Sequence, residues 1–468
     1  MTGDVRIAGA VRGWWLLGAL GLSGCPASHP PSAGCGKDSD CKTDRICVEG
    51  VCLAPARTRA DADPIADPAT APKPSAGQGE RWFRNGPGHA GASDALGPTT
   101  PPEPRWVVDL GAVVFGTPTL AVGPEGLTAY VGTHAGRFVG VVVEGERAGS
   151  VGLDIDLGGR IWATAAARGE GDDLRLYVGN DDDTLFAIAP AAKGEARIAW
   201  RKRLGNCEDT RSPGPEGARC DVDGGPTIGP DGDLFVGADG VYRLSPEGEI
   251  RWHWPSAEQE ERPKHVFSTP VLSDGRVYFG GQDGFVTALA AETGEQQWQY
   301  TVRADVDGSG VIGADGALFI GADDGRIYSI RSDGSLRWSF VAQRDIRSSL
   351  GIAPDGTVYA TSFDANLYSL APSGEVNWVL PTGGVIHSSP LVDQAGTVFF
   401  GSQDDHLYAV SAKGKVLWAV DLGADVDSSV AITPSGTVIV GCDDGTLRAF
   451  AAPGSDAPPA QSPLAAGP

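Results

Sequence analysis

Acidic and basic side chains recur at equivalent positions of an internal repeat and form the candidate ligand-binding site of this chain. They flank a constant apolar position on either side and comprise Arg160, Asp221, Asp223, His265, Asp305, Asp307, Asp345, Arg347, His387, Asp425 and Asp427. Carboxylates gathered around one point can bind a cationic group, a polar peptide or Ca²⁺. The alternative is that these Asp residues, with neighbouring Ser, cap turn backbones, a common role of both residue types.

The constant apolar position predicts how these side chains are arranged. It is occupied by Val114, Ile161, Val222, Val266, Val306, Ile346, Ile386 and Val426. Because successive side chains of a β-strand point to opposite faces, this residue is expected to pack inside while its neighbours point away from it. If copies of the segment that carries this position form the blades of a propeller, the first strand of each blade lies innermost. The polar neighbours are then expected to gather at one mouth of the central channel.

The elements that would position this site are copies of a repeat, which is checked before any other feature of the fold. Closing tryptophans fall at Trp338, Trp378 and Trp418, 40 residues apart. One copy contains four apolar runs, at 387–392, 398–402, 406–411 and 416–420, with turn residues between them. Alternating apolarity between turn signals predicts β-strands, and four antiparallel strands per copy, repeated radially, predict a β-propeller.

The number of copies predicts eight blades. The tryptophan position is occupied by Trp106, Leu153, Trp200, Trp252, Trp298, Trp338, Trp378 and Trp418. One strand stands alone at Trp106, and three strands follow Trp418 and end near Phe450. The fold class is therefore all-β, an eight-bladed propeller in which the first strand completes the last blade and closes the ring.

The repeats resemble those of a known family. Residues 288–298, ALAAETGEQQW, are similar to the A-x-x-x-x-T-G-x-x-x-W signature of PQQ-type propeller repeats. Other copies keep a glycine four residues before the tryptophan, at Gly248, Gly334, Gly374 and Gly414. Residues 82–89, WFRNGPGH, are similar to the stretch that often opens such domains. The resemblance covers residues 80–450 and implies a PQQ-like, eight-bladed propeller.

The resemblance implies three classes of function, because the family includes quinone-dependent dehydrogenases, the outer-membrane assembly lipoprotein BamB and proteins of other roles. A BamB-like member would be a platform for an envelope protein or peptide, bound at the channel mouth or by strand addition at a blade edge. PQQ-dependent dehydrogenases carry adjacent cysteines under the cofactor, and this chain has no Cys-Cys pair. We therefore expect a non-enzymatic protein without catalytic residues or cofactor. A PQQ-dependent dehydrogenase is the alternative, and a structural or sensory protein the third class.

The charge of the chain bears on its partners. The formal net charge is −23, and such an acidic protein repels phosphate backbones. The sequence therefore predicts no nucleic-acid partner. Solubility is the simplest consequence of the charge, and cation binding is the other.

The first 24 residues are predicted to be a lipoprotein signal peptide. Arg6 and Arg12 precede a short apolar core at 13–22, too short to span a membrane permanently. Leu22-Ser23-Gly24-Cys25 resembles the bacterial lipobox, in which the cysteine is lipidated, so Cys25 is the expected anchor. Membrane contact would be through the lipid alone. Pro26 follows in place of an inner-membrane retention Asp, which favours the outer membrane of a bacterial envelope.

The remaining cysteines predict disulfides in this exported chain. Cys35, Cys41, Cys47 and Cys52 lie in the segment 25–53 and imply two disulfides, whose three connectivities all stay open. Cys207 and Cys220 flank an insertion in blade 3 and are expected to pair. Cys442 is expected to be a buried thiol. Residues 54–79 and 451–468 are Ala/Pro-rich and predict a disordered linker and a disordered tail.

Two acidic patterns are interpreted as parts of the repeat and not as metal sites, the first on a repeat strand and the second in a turn. Asp305-Val-Asp307-Gly-Ser309 resembles the start of an EF-hand loop, but the twelfth position is Gly316 where that loop requires Glu. Pairs of Asp recur in one hairpin turn of several blades, at 181–183, 323–324, 404–405 and 443–444. Their recurrence indicates turn chemistry, so we expect no metal ligands.

Overall fold

A computed structural model describes residues 46–48, 51–53, 80–81, 89, 91–191, 197–205, 221–255, 265–302 and 304–455, with only the backbone at 46–48, 51–53 and 80–81. The chain divides into two units, Met1–Arg59 and Ala60–Pro468. Several predictions lie outside the described residues: the signal peptide, lipidation of Cys25, the linker, Cys35, Cys41, Cys207 and Cys220, and the end of the tail. In the first unit, β1 (Ile46–Val48) and β2 (Val51–Leu53) form a hairpin with Cys47 opposite Cys52.

The second unit is the predicted eight-bladed β-propeller, in which every blade is an antiparallel sheet. It begins with β3 (Glu80–Arg81) and β4 (Glu103–Asp109). Blade 1 contains β5 (Thr119–Gly123), β6 (Gly126–Gly132), β7 (Arg137–Val142) and β8 (Val151–Asp156). Blade 2 contains β9 (Ala166–Arg168), β10 (Arg175–Asn180), β11 (Thr184–Ala189) and β12 (Arg197–Arg203), with a 3₁₀ turn at Gly171–Asp173.

The next three blades repeat this plan. Blade 3 contains β13 (Thr227–Ile228), β14 (Leu234–Gly237), β15 (Val241–Leu244) and β16 (Ile250–Trp254). Blade 4 contains β17 (Val271–Ser273), β18 (Arg276–Gly280), β19 (Phe285–Ala290) and β20 (Gln296–Thr301). Blade 5 contains β21 (Val311–Ile312), β22 (Leu318–Ala322), β23 (Arg326–Ile330) and β24 (Leu336–Val341).

The last three blades complete the ring. Blade 6 contains β25 (Gly351–Ile352), β26 (Val358–Thr361), β27 (Asn366–Leu370) and β28 (Val376–Pro381). Blade 7 contains β29 (Leu391–Val392), β30 (Val398–Gly401), β31 (His406–Val410) and β32 (Val416–Asp421). Blade 8 contains β33 (Ala431–Ile432), β34 (Val438–Gly441) and β35 (Thr446–Ala451), and its outer strand is β4.

The pairing of β4 with β35 confirms the predicted closure. Trp106 lies opposite Ala449 and Val108 opposite Leu447, so the two ends of the propeller share one sheet. The backbone hydrogen bonds of this pair join strands far apart in sequence and leave no open seam between the first and last blades.

The glycine and tryptophan of the repeat pack against each other across blade boundaries. Gly374, in the turn between the last two strands of blade 6, has φ of +87°, and a Cβ there would lie 2.7 Å from the indole of Trp338 in blade 5. That indole donates a hydrogen bond to Pro372 O at 2.9 Å. The motif is therefore a blade-to-blade contact. It needs glycine both for the left-handed backbone and for the close approach.

The constant apolar position is buried as predicted. All eight residues at this position are at most 1% exposed. The strand itself is shorter than expected: the predicted run 387–392 contains strand only at Leu391–Val392. The polar neighbours therefore stand in the connection that leads into each inner strand, and not in regular strand.

A chain segment that precedes β4 lies at the end of the channel where the inner strands end, which we call the lower side. We call residues 80–81, 89 and 91–98 the strap. Its strand β3 pairs with β9 of blade 2, and the buried His89 Nε2 lies 2.9 Å from Thr227 Oγ1 in blade 3. Ser93 N donates to Val392 O of blade 7 at 2.7 Å. Pro98 O accepts the indole N–H of Trp418 at 2.7 Å, because blade 8 lacks the turn that serves this role in other blades. In the described part of the chain, no helix is long and apolar enough to cross a membrane.

Candidate functional site: the upper mouth of the channel

Two chain segments from each blade build the end of the channel opposite the strap. One is the connection into the inner strand, and the other is the turn after the second strand. In blade 5 they are joined by a hydrogen bond from Asp323 N to Asp305 O at 3.0 Å, and in blade 8 by one from Asp443 N to Asp425 O at 3.0 Å. We call the side chains that these segments present the upper mouth. They include ten aspartates: Asp181, Asp221, Asp223, Asp305, Asp307, Asp323, Asp345, Asp425, Asp427 and Asp443.

An arc of aromatic rings shows that the segments meet near the axis. Phe115, leading into blade 1, lies 6.1 Å from His387, leading into blade 7, although blade 8 stands between them. Phe115 also packs edge-on to Trp162 at 4.9 Å, and Trp162 contacts His134 at 4.0 Å. Phe363 continues the arc on the other side of His387 at 4.3 Å. One side of the upper mouth is therefore aromatic.

Arg347 holds the carboxylates of blades 5 and 6 together. Its Nη2 and Nε lie 2.6 and 3.1 Å from the two carboxylate oxygens of Asp323, and Nη2 lies 3.8 Å from Asp345. Its guanidinium stands 5.5 Å from the Phe363 ring centre, at the end of the aromatic arc. Burial would lower the pKa of Arg347, but these carboxylates outweigh it and raise the pKa.

Burial raises the pKa of the carboxyl groups around Arg347. The pKa of Asp307 rises to about 6, since burial outweighs a hydrogen bond from Gln282 Nε2 at 3.2 Å. The pKa values of Asp305 and Asp323 are also raised by burial, although Arg347 opposes the shift. A second cation arriving here would favour the ionised form of all three groups.

His387, Asp425, Asp427 and Asp443 form a second group, which adjoins the Arg347 group through Phe363. Burial lowers the pKa of His387 and raises that of Asp427, while each acts on the other in the opposite direction. Asp427 accepts hydrogen bonds from Gln403 Nε2 at 3.2 Å. Burial, together with Asp427 and Asp425, raises the pKa of Asp443 to about 7. This group therefore carries less negative charge near neutral pH than its composition suggests.

Three carboxylates converge at blades 2 and 3. Asp181, Asp221 and Asp223 each offer an oxygen, and these atoms lie within 4.8 Å of one another. Oxygen ligands in this arrangement suit a hard divalent cation such as Ca²⁺. Two predicted basic residues, Arg160 and His265, also lie in this region, together with His134, which was not predicted. Burial and then Arg160 lower the pKa of His134, and burial lowers that of His265. The ring centres of His265 and Phe267 lie 6.2 Å apart. The charged neighbour of His265 is Asp239, and not a member of the group around Arg347.

The assignment of the paired aspartates to turn chemistry is right for Asp182, Asp324, Asp404 and Asp444, whose carboxylates accept backbone N–H groups, and incomplete for Asp181, Asp323 and Asp443. Asp182 Oδ2 accepts Gly159 N at 2.7 Å, and Asp404 Oδ2 accepts Gly383 N at 2.7 Å, so these side chains do cap backbone. Asp181, Asp323 and Asp443 directly precede Asp182, Asp324 and Asp444 and belong to the upper mouth, whereas the residue before Asp404 is Gln403. The ends of the second strands, aligned across blades as the first strands were, place these three residues in one column.

The alternative interpretation of the site is that its Asp residues and neighbouring Ser residues cap turn backbones. The serines of the inner connections do accept backbone N–H groups. Ser389 Oγ accepts Ser349 N at 3.0 Å, and Ser429 Oγ accepts Ser389 N at 2.8 Å, each from the preceding blade. Ser309 Oγ accepts Thr269 N at 2.8 Å in the same way. The hydroxyls thus join neighbouring inner connections to one another. The carboxylates of Asp307 and Asp427 instead accept hydrogen bonds from side-chain amides, those of Gln282 and Gln403.

Comparisons with known proteins identify the family. A model of the PQQ_2 family, described as outer membrane protein assembly factor BamB, matches residues 147–342 and 323–456. BamB of Burkholderia pseudomallei (strain K96243) is 42% identical over 80 residues, which is 16% of this chain and 19% of that protein. The chain thus matches about a fifth of the length of this curated relative.

Solved structures share the fold. BamB from Moraxella catarrhalis is 15% identical with a TM-score of 0.56, over 76% of this chain and 99% of that one. Quinohemoprotein alcohol dehydrogenase from Comamonas testosteroni is 13% identical with a TM-score of 0.61, over 83% and 82%. These identities show a common propeller alone. The family model, in contrast, spans 147–456 of 468 residues, and the chain therefore belongs to the PQQ_2 family, that of outer membrane protein assembly factor BamB.

Proposed function

We propose that this protein is a non-enzymatic component of the bacterial envelope whose propeller binds a protein partner, in a BamB-like role in outer-membrane protein assembly. The ligand at the upper mouth would be a polypeptide segment that carries lysine or arginine next to an aromatic residue. Cys25 would anchor the protein to the membrane. Family membership supports the assembly role, and the chemistry of the mouth supports the choice of ligand.

The observation that carries this proposal is the two-sided wall of the upper mouth. The aromatic arc can stack on an aromatic ring or lie under a cation, and the carboxylates beside it can pair with the cation. Because burial raises the pKa of Asp307 to about 6 and of Asp443 to about 7, part of their charge becomes available only when a cation approaches. Binding of a basic segment would therefore release protons.

The same chemistry does not fit a pyrroloquinoline quinone. That cofactor is a polycarboxylate, and a site for it needs cations that are free to bind carboxylate. Arg347 is already engaged by Asp323 and Asp345. Adding an anion among ten aspartates would raise the energy of the site, so the residues at this mouth favour a cationic ligand.

A direct test uses a fluorescein-labelled peptide with alternating Lys and Trp, and the same peptide with Glu in place of Lys. We expect the basic peptide to bind and its affinity to rise from pH 5.5 to pH 8, because the raised carboxyl pKa values lie in this range. The double variant Asp425→Asn with Asp427→Asn should weaken binding about tenfold. Fluorescence anisotropy measures each affinity.

The matched control removes the same charge from the opposite face of the propeller. Asp333 and Asp355 lie in exposed turns there, and their Asn variants keep an oxygen for the turn hydrogen bonds. The Asp333→Asn, Asp355→Asn variant should bind like the wild type. Equal weakening by both double variants would show that net charge, not the mouth, attracts the peptide. Binding of the acidic peptide with equal affinity would contradict the proposal.

The assembly role is tested by crosslinking in membranes of the native host, followed by mass spectrometry. Recovery of an outer-membrane assembly barrel with the wild type is the expected result. The Asp425→Asn, Asp427→Asn variant should recover less of it, while the control variant should not. Recovery of crosslinked proteins that include no assembly component would contradict the role in outer-membrane protein assembly. It would not affect the result of the peptide-binding test.

A further inference from the structure

The outer strand of blade 2 is basic in an otherwise acidic protein. Strand β12 contains Arg197, Arg201, Lys202 and Arg203 among its seven residues and no acidic residue. Each of the other seven outer strands contains at most one Lys or Arg. Positive charge is therefore concentrated at one place on the rim of a chain whose net charge is −23.

The arginines of β12 face solvent. Residues alternate between exposed and half-buried along the strand, and Arg197, Arg201 and Arg203 all lie on the exposed side. Arg203 Nη2 lies 2.9 Å from Asp183, yet its side chain remains 66% exposed. In the described part of the chain, neither Arg197 nor Arg201 has an ion-pair partner. At least two guanidinium groups are thus available to an external carboxylate.

The other side of the strand is fixed to the propeller. Trp200 donates its indole N–H to Pro246 O of blade 3 at 2.8 Å and packs under Gly248. Strand β12 pairs with β11 from Thr184↔Arg203 to Ala189↔Arg197, with one shift in register between Trp200 and Ile198. It is the last strand of its sheet among the described strands. Its outward backbone N–H and C=O groups can therefore accept another strand.

Charge decides which strand this edge can accept. Arginines on an edge prevent pairing with a second copy of the same edge, because like charges then lie opposite each other. They favour a strand that carries Asp or Glu at alternate positions, since each carboxylate then faces a guanidinium with which it can form two hydrogen bonds. The open edge requires a partner segment with an extended backbone, and the arginines on the same strand require acidic side chains on that segment.

We propose that β12 is a docking site for an extended, acidic segment of a partner protein, which pairs with its outer edge as an additional strand. Seven residues of strand span roughly 23 Å, so the segment would have six to eight residues. This site lies on the rim of the propeller, separate from the upper mouth, and goes beyond the function proposed above. A protein partner is favoured over an anionic lipid surface because lipid would use the charge and leave the backbone edge unpaired.

The test uses an eight-residue peptide with alternating Glu and Val, labelled with fluorescein. A second peptide has the same side chains but methyl groups on alternate backbone nitrogens, so it cannot form the hydrogen bonds of a strand. We expect the first peptide to bind the full chain and the methylated peptide to bind at least tenfold more weakly. The Arg197→Glu, Arg201→Glu variant should also lose at least tenfold in affinity.

The control variant is Lys413→Glu with Lys415→Glu, which makes the same charge change in an exposed turn of blade 7. It should bind the Glu-Val peptide like the wild type. Equal binding of the methylated peptide would overturn strand addition. Arginine-dependent binding to phosphatidylglycerol vesicles without peptide binding would overturn the protein partner in favour of lipid. Absence of binding to either probe would overturn the site altogether.

Discussion

At the scale of single residues, burial of charge is the main feature of the upper mouth. Asp443 illustrates it, because burial and the nearby Asp427 and Asp425 raise its pKa to about 7. A carboxyl group whose pKa is raised on folding binds its proton more tightly in the folded state. Its contribution to stability is complete below the unfolded pKa, near 3.8, and is lost as the pH rises through about 7.

Replacing Asp443 by Asn should therefore flatten the pH dependence of stability. Asp443 contributes a fall in the free energy of unfolding between pH 4 and pH 7.5. The Asp443→Asn variant should lack this contribution, so its stability relative to the wild type should rise with pH and exceed that of the wild type at pH 7.5. Urea unfolding at five pH values measures this difference. Asp109→Asn, at an exposed position on the outer strand of blade 8, serves as the control and should keep the slope. An unchanged slope in Asp443→Asn would contradict the assignment of the buried proton.

Arg347 gives a second prediction, because it neutralises carboxylates that burial already disfavours. Arg347→Met keeps the aliphatic bulk but leaves Asp323 without its bidentate partner. We expect a loss of about 1–2 kcal/mol in the free energy of unfolding at pH 7.5. The loss should shrink as the pH is lowered to 4.5, because burial raises the pKa of Asp305, Asp307 and Asp323, and protonation removes the charge that Arg347 neutralises.

The control for Arg347 is Arg326, whose ion pair with Asp324 spans 3.6 Å at the surface. Arg326→Met should cost less than about 0.5 kcal/mol at either pH. Similar costs for the two arginine variants, or a cost of Arg347→Met that does not change with pH, would show that packing of the side chain matters more than its charge.

At the scale of elements, the glycine–tryptophan contact between blades gives the third prediction. Gly374→Ala combines a residue at φ of +87° with a Cβ placed 2.7 Å from the Trp338 indole. Gly423 has φ of +77° but nothing within 4 Å of a Cβ, so Gly423→Ala isolates the backbone cost. We expect about 1–2 kcal/mol for Gly423→Ala and about 2–4 kcal/mol for Gly374→Ala. Equal costs in denaturant unfolding would mean that the indole moves aside.

These elements also show what the sequence can predict. The blades are predictable because alternating apolar runs and turn residues are local signals that recur in every copy, and the Gly–Trp spacing recurs in five of them, at Gly248, Gly294, Gly334, Gly374 and Gly414. The inner strands were overestimated, since Val306 and its equivalents are buried by contacts between blades and not by regular strand pairing. Asp323 was assigned to its turn alone because its partner Arg347 is 24 residues away and meets it only when two blades stand side by side. The strap was not recognised, because nothing local marks residues 91–98 as partners of Val392.

At the scale of the whole molecule, the ring carries charge of different sign at different places. The upper mouth gathers carboxylates around the axis, and β12 places arginines at the rim. Two surfaces of opposite charge on one rigid body can hold two segments of different composition, and neither then competes with the other. A propeller suits this arrangement, because inner connections and outer strands vary without changing the packing between blades.

Closure of the ring gives the last prediction. A chain that begins at residue 99 lacks the strap but keeps β4, whereas one that begins at residue 111 lacks both. We expect the first to stay monomeric and to lose about 1–3 kcal/mol, because only a few hydrogen bonds and His89 are removed. The second exposes the edge of β35 and removes Trp106, which is 3% exposed and packs against blade 1.

The longer truncation should therefore aggregate or unfold without a cooperative transition, since an open apolar edge invites pairing between chains. Size-exclusion chromatography and calorimetry distinguish the two chains. A cooperative transition at the wild-type temperature in the chain that begins at residue 111 would show that packing between blades alone holds the ring closed. A severe loss in the chain that begins at residue 99 would instead make the strap, and not the pairing of β4 with β35, the main element of closure.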